Sequence, residues 1–331
     1  WSCPQGNPPS LSREKSFGTI FTMCRISFYY DHYNKIDEDE LTKITPTNAP
    51  KGVAAFDRPQ LVKHQDAARF LWGDAKSGQV ADLIYGRNTR ISALIFKLKP
   101  GGFFRSSDTW KSFFDQHRYY YVIKGQLTIQ DPQSGEVVTA KAGEAIYWRG
   151  AKWHFGFNFS SEETAVLDWY APQERAPHIP EIEFAKTKPV AGPARAGRED
   201  LLGKWPELYL SASDSALKSG GIVRVCAADA LGFIFGEQNP VMESVFVSST
   251  ELTAGTVSLI PGSQSDMRTH PGDKVIFNLE GQLHVYLPEL FEWHELNAWD
   301  VLYLPPNTPH QYWNYTSTSV KFAFMVVPAY L

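Results

Sequence analysis

Cysteine is scarce in this chain: three residues in 331, Cys3, Cys24 and Cys226, far apart and odd in number. That excludes a disulfide framework and a cysteine-based zinc site. Charge of one sign is lacking as well. With 32 basic and 36 acidic residues the net charge is -4 and the basic residues are dispersed, so the long-range positive field of a nucleic-acid binder is missing. Long apolar runs are also missing. The apolar stretch at residues 17–30 is interrupted by Arg25 and is shorter than the roughly 20 residues that cross a bilayer. It has no small-residue cleavage site, which makes it a poor secretory signal. The expectation is a cytoplasmic protein whose partners are neither nucleic acid nor membrane.

Aromatic and apolar residues, by contrast, are plentiful. The chain is 43% hydrophobic and holds 10 Trp, 15 Tyr and 21 Phe, enough to bury large cores. From Ala81 onward, short runs rich in Ile, Val, Tyr, Phe and Trp alternate with clusters of Gly, Pro, Asp and Asn. This is the rhythm of an all-β sandwich or barrel. Two stretches then declare a repeat: GEAIYWRGAKWHFGFN (residues 143–158) and WDVLYLPPNTPHQYWN (residues 299–314) each run acidic residue, apolar strand, tight turn, His, and Asn four residues later. The same 156-residue offset that links His154 to His310 also links Gly125 to Gly281. One β-unit has been built twice. Residues 171–197 between the copies hold five prolines and few strand patterns, and read as a semi-rigid linker.

The second copy, PGSQSDMRTHPGDKVIFNLEG followed by WDVLYLPPNTPHQYWN, resembles the two motifs of the cupin superfamily. The first copy matches more loosely through PGG (residues 100–102), YYYVIKGQ and AGEAIYWRGAKWHFGFN. The resemblance to a bicupin implies two cupin-type β-barrel (jelly-roll) domains in tandem. It gives an N-terminal extension with short helices (1–60), a first cupin domain with a degenerate site (61–170), a Pro-rich linker (171–215) and a second cupin domain with the active or ligand site (216–331). It also implies a homo-oligomer, or a complex with another cupin subunit.

Cupin metals usually sit on three His and one Glu, a set suited to Fe, Mn, Ni or Zn. Carried onto the second copy, these positions hold Arg268, His270, Lys274 and His310; in the first they hold Ser112, Phe114, Arg118 and His154. The resemblance thus implies Fe(II) or another divalent metal on His270 and His310, and none in the first domain. Lys274 opposes that. An ammonium about 5 Å from a divalent ion, at an effective dielectric near 20, repels it by roughly 6 to 7 kcal/mol. A metal would require Lys274 to be neutral or turned away, or Asp273, Glu280 or His284 to serve as ligands.

Three functions follow from the resemblance. The first is a bicupin dioxygenase acting on an aromatic or dicarbonyl compound, as gentisate, hydroquinone and quercetin dioxygenases do. The second is a metal-independent isomerase, epimerase or lyase, in which Arg268 and Lys274 hold an anionic substrate and His270 or His310 is the base. The third is a non-catalytic cupin subunit or ligand-binding protein. Elsewhere, His154 and Asn158 read as structural, His117 and His294 as facing away from the barrels, and His32, His64 and His178 as outside them. Trp148, Trp153, Tyr303, Tyr312 and Trp313 read as packing residues.

Overall fold

The computed structural model describes residues 52–107, 110, 112–114, 116–132, 135–148, 152–171, 221–249, 251–328 and 330. The N-terminal helices expected before residue 52, the Pro-rich linker, Cys3, Cys24, His32 and His178 lie outside them. Among the described residues the chain is all-β, with helical backbone confined to two single turns, His64–Asp66 and Ala227–Asp229.

Each half forms a barrel from one larger and one smaller sheet. In the first half the larger sheet runs Gly78–Arg87, Ser92–Leu98, Thr164–Ala171, His117–Lys124, Ala145–Trp148, and its partner sheet runs Val137–Lys141, Gln126–Gln130, Phe155–Phe157, Phe103–Phe104. The second half repeats the order with Val241–Ser248, Thr253–Leu259, Val320–Val327, Asp273–Glu280, Val301–Leu304 against Glu292–Leu296, Leu283–Leu287, Gln311–Trp313. The repeat extends to local defects: a bulge between Ile84 and Gly86 has its counterpart between Val245 and Val247. Gly125 and Gly281 both turn at positive φ, 74° and 73°, and an added Cβ would lie 2.8 Å from the Glu163 carbonyl and 2.6 Å from that of Ser319. Glycine is required at both.

The halves exchange edge strands. Gln60–Val62, which precedes the first barrel, pairs antiparallel with Val301–Leu304 of the second, and Val223–Val225, which precedes the second, pairs with Ala145–Trp148 of the first. Each larger sheet is therefore completed by chain from the other half, which covers an edge that would otherwise be free.

A core that includes Tyr85, Tyr119, Trp169, Phe277, Tyr303 and Met325 joins the backs of the two larger sheets, while separate cores fill each barrel. This double burial explains the nearly continuous apolar reading of Asp273–Glu280. Val275 and Phe277 enter the shared core, and Ile276 enters the second barrel. Lys274 shares the inward face with Ile276, as two-residue alternation requires. Asp273 points the other way, where it accepts hydrogen bonds from Arg90, Asn88 and Tyr303.

Candidate active site

The second barrel's polar cluster is assembled by two backbone links. Arg268 and His310 form an isolated antiparallel bridge, with Arg268 N to His310 O at 3.0 Å and the return bond at 2.9 Å. The Pro-rich turn ahead of His310 is pinned when Asn307, at φ 60°, donates its N–H to the His270 carbonyl at 2.7 Å. Asparagine tolerates that left-handed backbone better than most residues. The two histidines and Arg268 thereby converge on the inward face that carries Lys274.

All four are buried: Arg268 and His270 are 4% exposed, Lys274 2% and His310 1%. Lys274 Nζ stands between the two rings, donating to His270 Nε2 at 2.9 Å and to His310 Nε2 at 3.4 Å. On the other side of each ring, Nδ1 donates to a backbone carbonyl, that of Tyr330 for His270 (2.8 Å) and that of Thr308 for His310 (2.9 Å). A carbonyl can only accept, so both rings carry their hydrogen on Nδ1 and turn the Nε2 lone pair toward the lysine. The Tyr312 hydroxyl also donates to His310 Nε2 at 3.2 Å. The rings of Tyr312 and Phe324 lie 5.2 and 5.3 Å from Nζ.

Burial, then the Lys274 charge, pushes His270 down to about 2 and holds His310 well below the usual histidine range. Burial, then the Arg268 guanidinium, pushes Lys274 well below 10.5. Charge is disfavoured on all three groups first because burial strips the charged form of water and then because each faces another cationic group.

Arg268 differs from the expectation that it holds an anionic substrate. Its guanidinium pairs with Glu243, donates to the Tyr330 hydroxyl at 2.6 Å, and stacks over Phe235 at 4.0 Å. Tyr330 in turn donates to Glu243, closing a triangle. Both terminal nitrogens are therefore committed within the chain, while the buried Nε has no hydrogen-bond partner among the described residues. Glu243 and Tyr330 escaped the sequence reading, although the need for a partner to a buried Arg was a signal that an inward-facing acid existed. Tyr312, read as a packing residue, also belongs to the cluster.

The residues present do not fit a divalent metal. An ion bonded at about 2.1 Å to Nε2 uses the same lone pair that accepts from Lys274, so its seat on His270 lies within roughly 1 Å of Nζ. Among the described residues no carboxylate completes the set. Asp273 is committed to Arg90, and His284 lies on the outer face of its sheet, 5.2 Å from the Trp293 ring and 5.3 Å from that of Tyr315. Among the described residues no three His, Cys, Asp or Glu come together as metal ligands.

The first barrel is filled differently. Arg118, equivalent to Lys274, forms a buried pair with Asp168 at 2.7 Å. His154 Nε2 hydrogen-bonds the Tyr120 hydroxyl at 3.2 Å, and its ring packs 4.7 Å from that of Trp148. Asn158 and Asn314 are turn latches: Asn158 donates to the Leu98 and Glu162 carbonyls, Asn314 to those of Leu259 and Thr318. His117 bonds the Tyr147 hydroxyl at 2.6 Å, on the face away from Tyr120, and His294 bonds Glu292 on the outer sheet.

This two-barrel fold is similar to that of solved bicupin structures. The cupin-domain family profile matches residues 255–327, which contain the cluster's Arg268, His270, Lys274 and His310. The fold is similar to that of Bacillus subtilis oxalate decarboxylase OxdC (a deletion mutant; 14% identity, TM-score 0.56, covering 88% of this chain and 84% of that one). It is also similar to the oxalate decarboxylase formate complex of Lactobacillus farciminis (13% identity, TM-score 0.56, 85% and 90%). A third similar structure is Ylba from E. coli (12% identity, TM-score 0.55, 88% and 97%). No curated protein sequence matches the chain. No helix among the described residues is long and apolar enough to cross a membrane.

Proposed function

We propose that the second barrel is a metal-independent site for a small organic molecule, of the isomerase, epimerase or lyase type, with His270 and His310 as neutral bases and Lys274 between them. The observation that carries this reading is the position of Lys274 Nζ, 2.9 and 3.4 Å from the two Nε2 atoms that a cupin metal would take. A dioxygenase would need a divalent ion in that place, and the donor set argues against one. The likeness to oxalate decarboxylases supports an enzyme in general terms, through fold alone.

In this site both rings are fixed in the neutral tautomer that turns an Nε2 lone pair inward, because their Nδ1–H groups are held by carbonyls. Tyr312 supplies a proton donor at His310, and the Arg268–Glu243–Tyr330 triangle supplies rigidity rather than an anion grip. Metal analysis of protein expressed in iron- and manganese-supplemented medium tests the reading. Traces are expected; near-stoichiometric metal that is lost when His270 and His310 are replaced together would overturn it.

The depth of burial favours a second reading, a non-catalytic cupin in which the cluster is a closed polar lock. Under it, no small carbonyl, carboxylate or phosphate compound raises the unfolding temperature. A single saturable shift that survives chelator removes this reading.

A further inference from the structure

We propose that Lys274 is an amine nucleophile that condenses with a small aldehyde, ketone or 2-oxo acid to form an imine in the second barrel. This rests on the metal-independent reading of the site and names its substrate class.

The geometry points this way for three reasons. A lysine on a small barrel can usually extend its four-carbon stem to water. Lys274 instead turns inward, with Nζ under the Tyr312 and Phe324 rings. Second, no ion pair joins Lys274 to a carboxylate among the described residues, and the buried acid nearest in the network, Glu243, is committed to Arg268 and Tyr330. Glu243 favours the ammonium, but burial and the Arg268 guanidinium outweigh it. Third, the acceptors around Nζ are two imidazole lone pairs, one for each hydrogen of a neutral amine. The remaining lone pair on Nζ is then free for attack.

Condensation needs that arrangement. The Nζ lone pair forms the C–N bond while the carbonyl π pair moves to oxygen. One Nζ hydrogen passes through His270 Nε2 to that oxygen, giving the carbinolamine. The second passes through His310 Nε2, next to the Tyr312 hydroxyl, and the oxygen leaves as water while C=N forms. Two hydrogens leave nitrogen, one water departs, and no oxidant or metal takes part. Tyr330, the partly exposed member of the cluster, sits with its ring 4.6 Å from that of His270 and tilted by 30°.

The test is reductive trapping of the full chain at neutral pH with pyruvate or glycolaldehyde and cyanoborohydride, read by peptide mass mapping. The expected result is a reduced adduct on Lys274 that forms severalfold faster than on exposed Lys99 and Lys141, and faster again in Tyr330→Gly. Adducts confined to exposed lysines in both proteins overturn the proposal, whatever the cause. Metal content measured on the same samples separates the two failures. Metal-free protein with Lys274 unlabelled sinks the imine alone, whereas near-stoichiometric metal sinks the reading beneath it.

Discussion

Lys274→Glu should turn the second barrel into a metal site. In the wild-type protein Nζ occupies the seat on the His270 and His310 lone pairs. Even if the side chain swung about 4 Å away as an ammonium, it would repel a divalent ion by roughly 8 kcal/mol at an effective dielectric near 20. A millimolar site is worth only about 4 kcal/mol, so the wild type should bind none. Glutamate at 274 reverses the sign of that interaction and completes a two-His, one-carboxylate set on the inward face. The assay is Co(II) titration followed by visible absorption, with elemental analysis of the dialysed protein. Near-stoichiometric Co(II) in Lys274→Glu, weak binding in Lys274→Met and traces in wild type are expected. Wild-type protein that binds Co(II) as tightly as the variant, or a folded Lys274→Glu that binds none, would refute the reasoning.

The cluster also sets a pH dependence. His270, His310 and Lys274 all have lowered folded-state pKa values, so the unfolded chain binds the more protons and stability rises with pH. For the histidines the rise is lost as pH falls below 6.5, at about 1.4 kcal/mol per pH unit for each ring. Lys274 continues it toward 10.5, and urea midpoints between pH 5 and 9 that stay flat above pH 7 would show that Lys274 remains an ammonium. Glu243→Gln leaves Arg268 buried without its counter-charge and should cost about 3–5 kcal/mol. Pairing it with Arg268→Met should recover most of that loss in denaturant melts, because the orphaned charge goes with it; a double variant as weak as the single one contradicts this.

The duplication was legible because glycine at positive φ and the His-to-Asn spacing leave marks in the sequence: Gly125 and Gly281 cannot be anything else, and Asn158 and Asn314 latch equivalent turns. The cupin resemblance likewise put Lys274 at a ligand position of the second copy. What the resemblance could not supply was the partner of each inward charge. Glu243 lies 25 residues from Arg268 and Tyr330 lies 62 away, so neither stands at a motif position. The strand exchange was hidden for the same reason, since Gln60–Val62 and Val223–Val225 read as ordinary short strands whichever barrel they join.

The sequence by itself determined two all-β barrels and the chemical identity of the groups inside them, because turn geometry and strand period are local properties. Only the tertiary structure decided how those groups are used. It closed Arg268 onto Glu243 and Tyr330, fixed both histidine tautomers through carbonyls of Tyr330 and Thr308, and set Lys274 Nζ where a metal would sit. Charge state and hydrogen-bond direction depend on what surrounds a buried group, and those surroundings are brought together from strands distant in the chain.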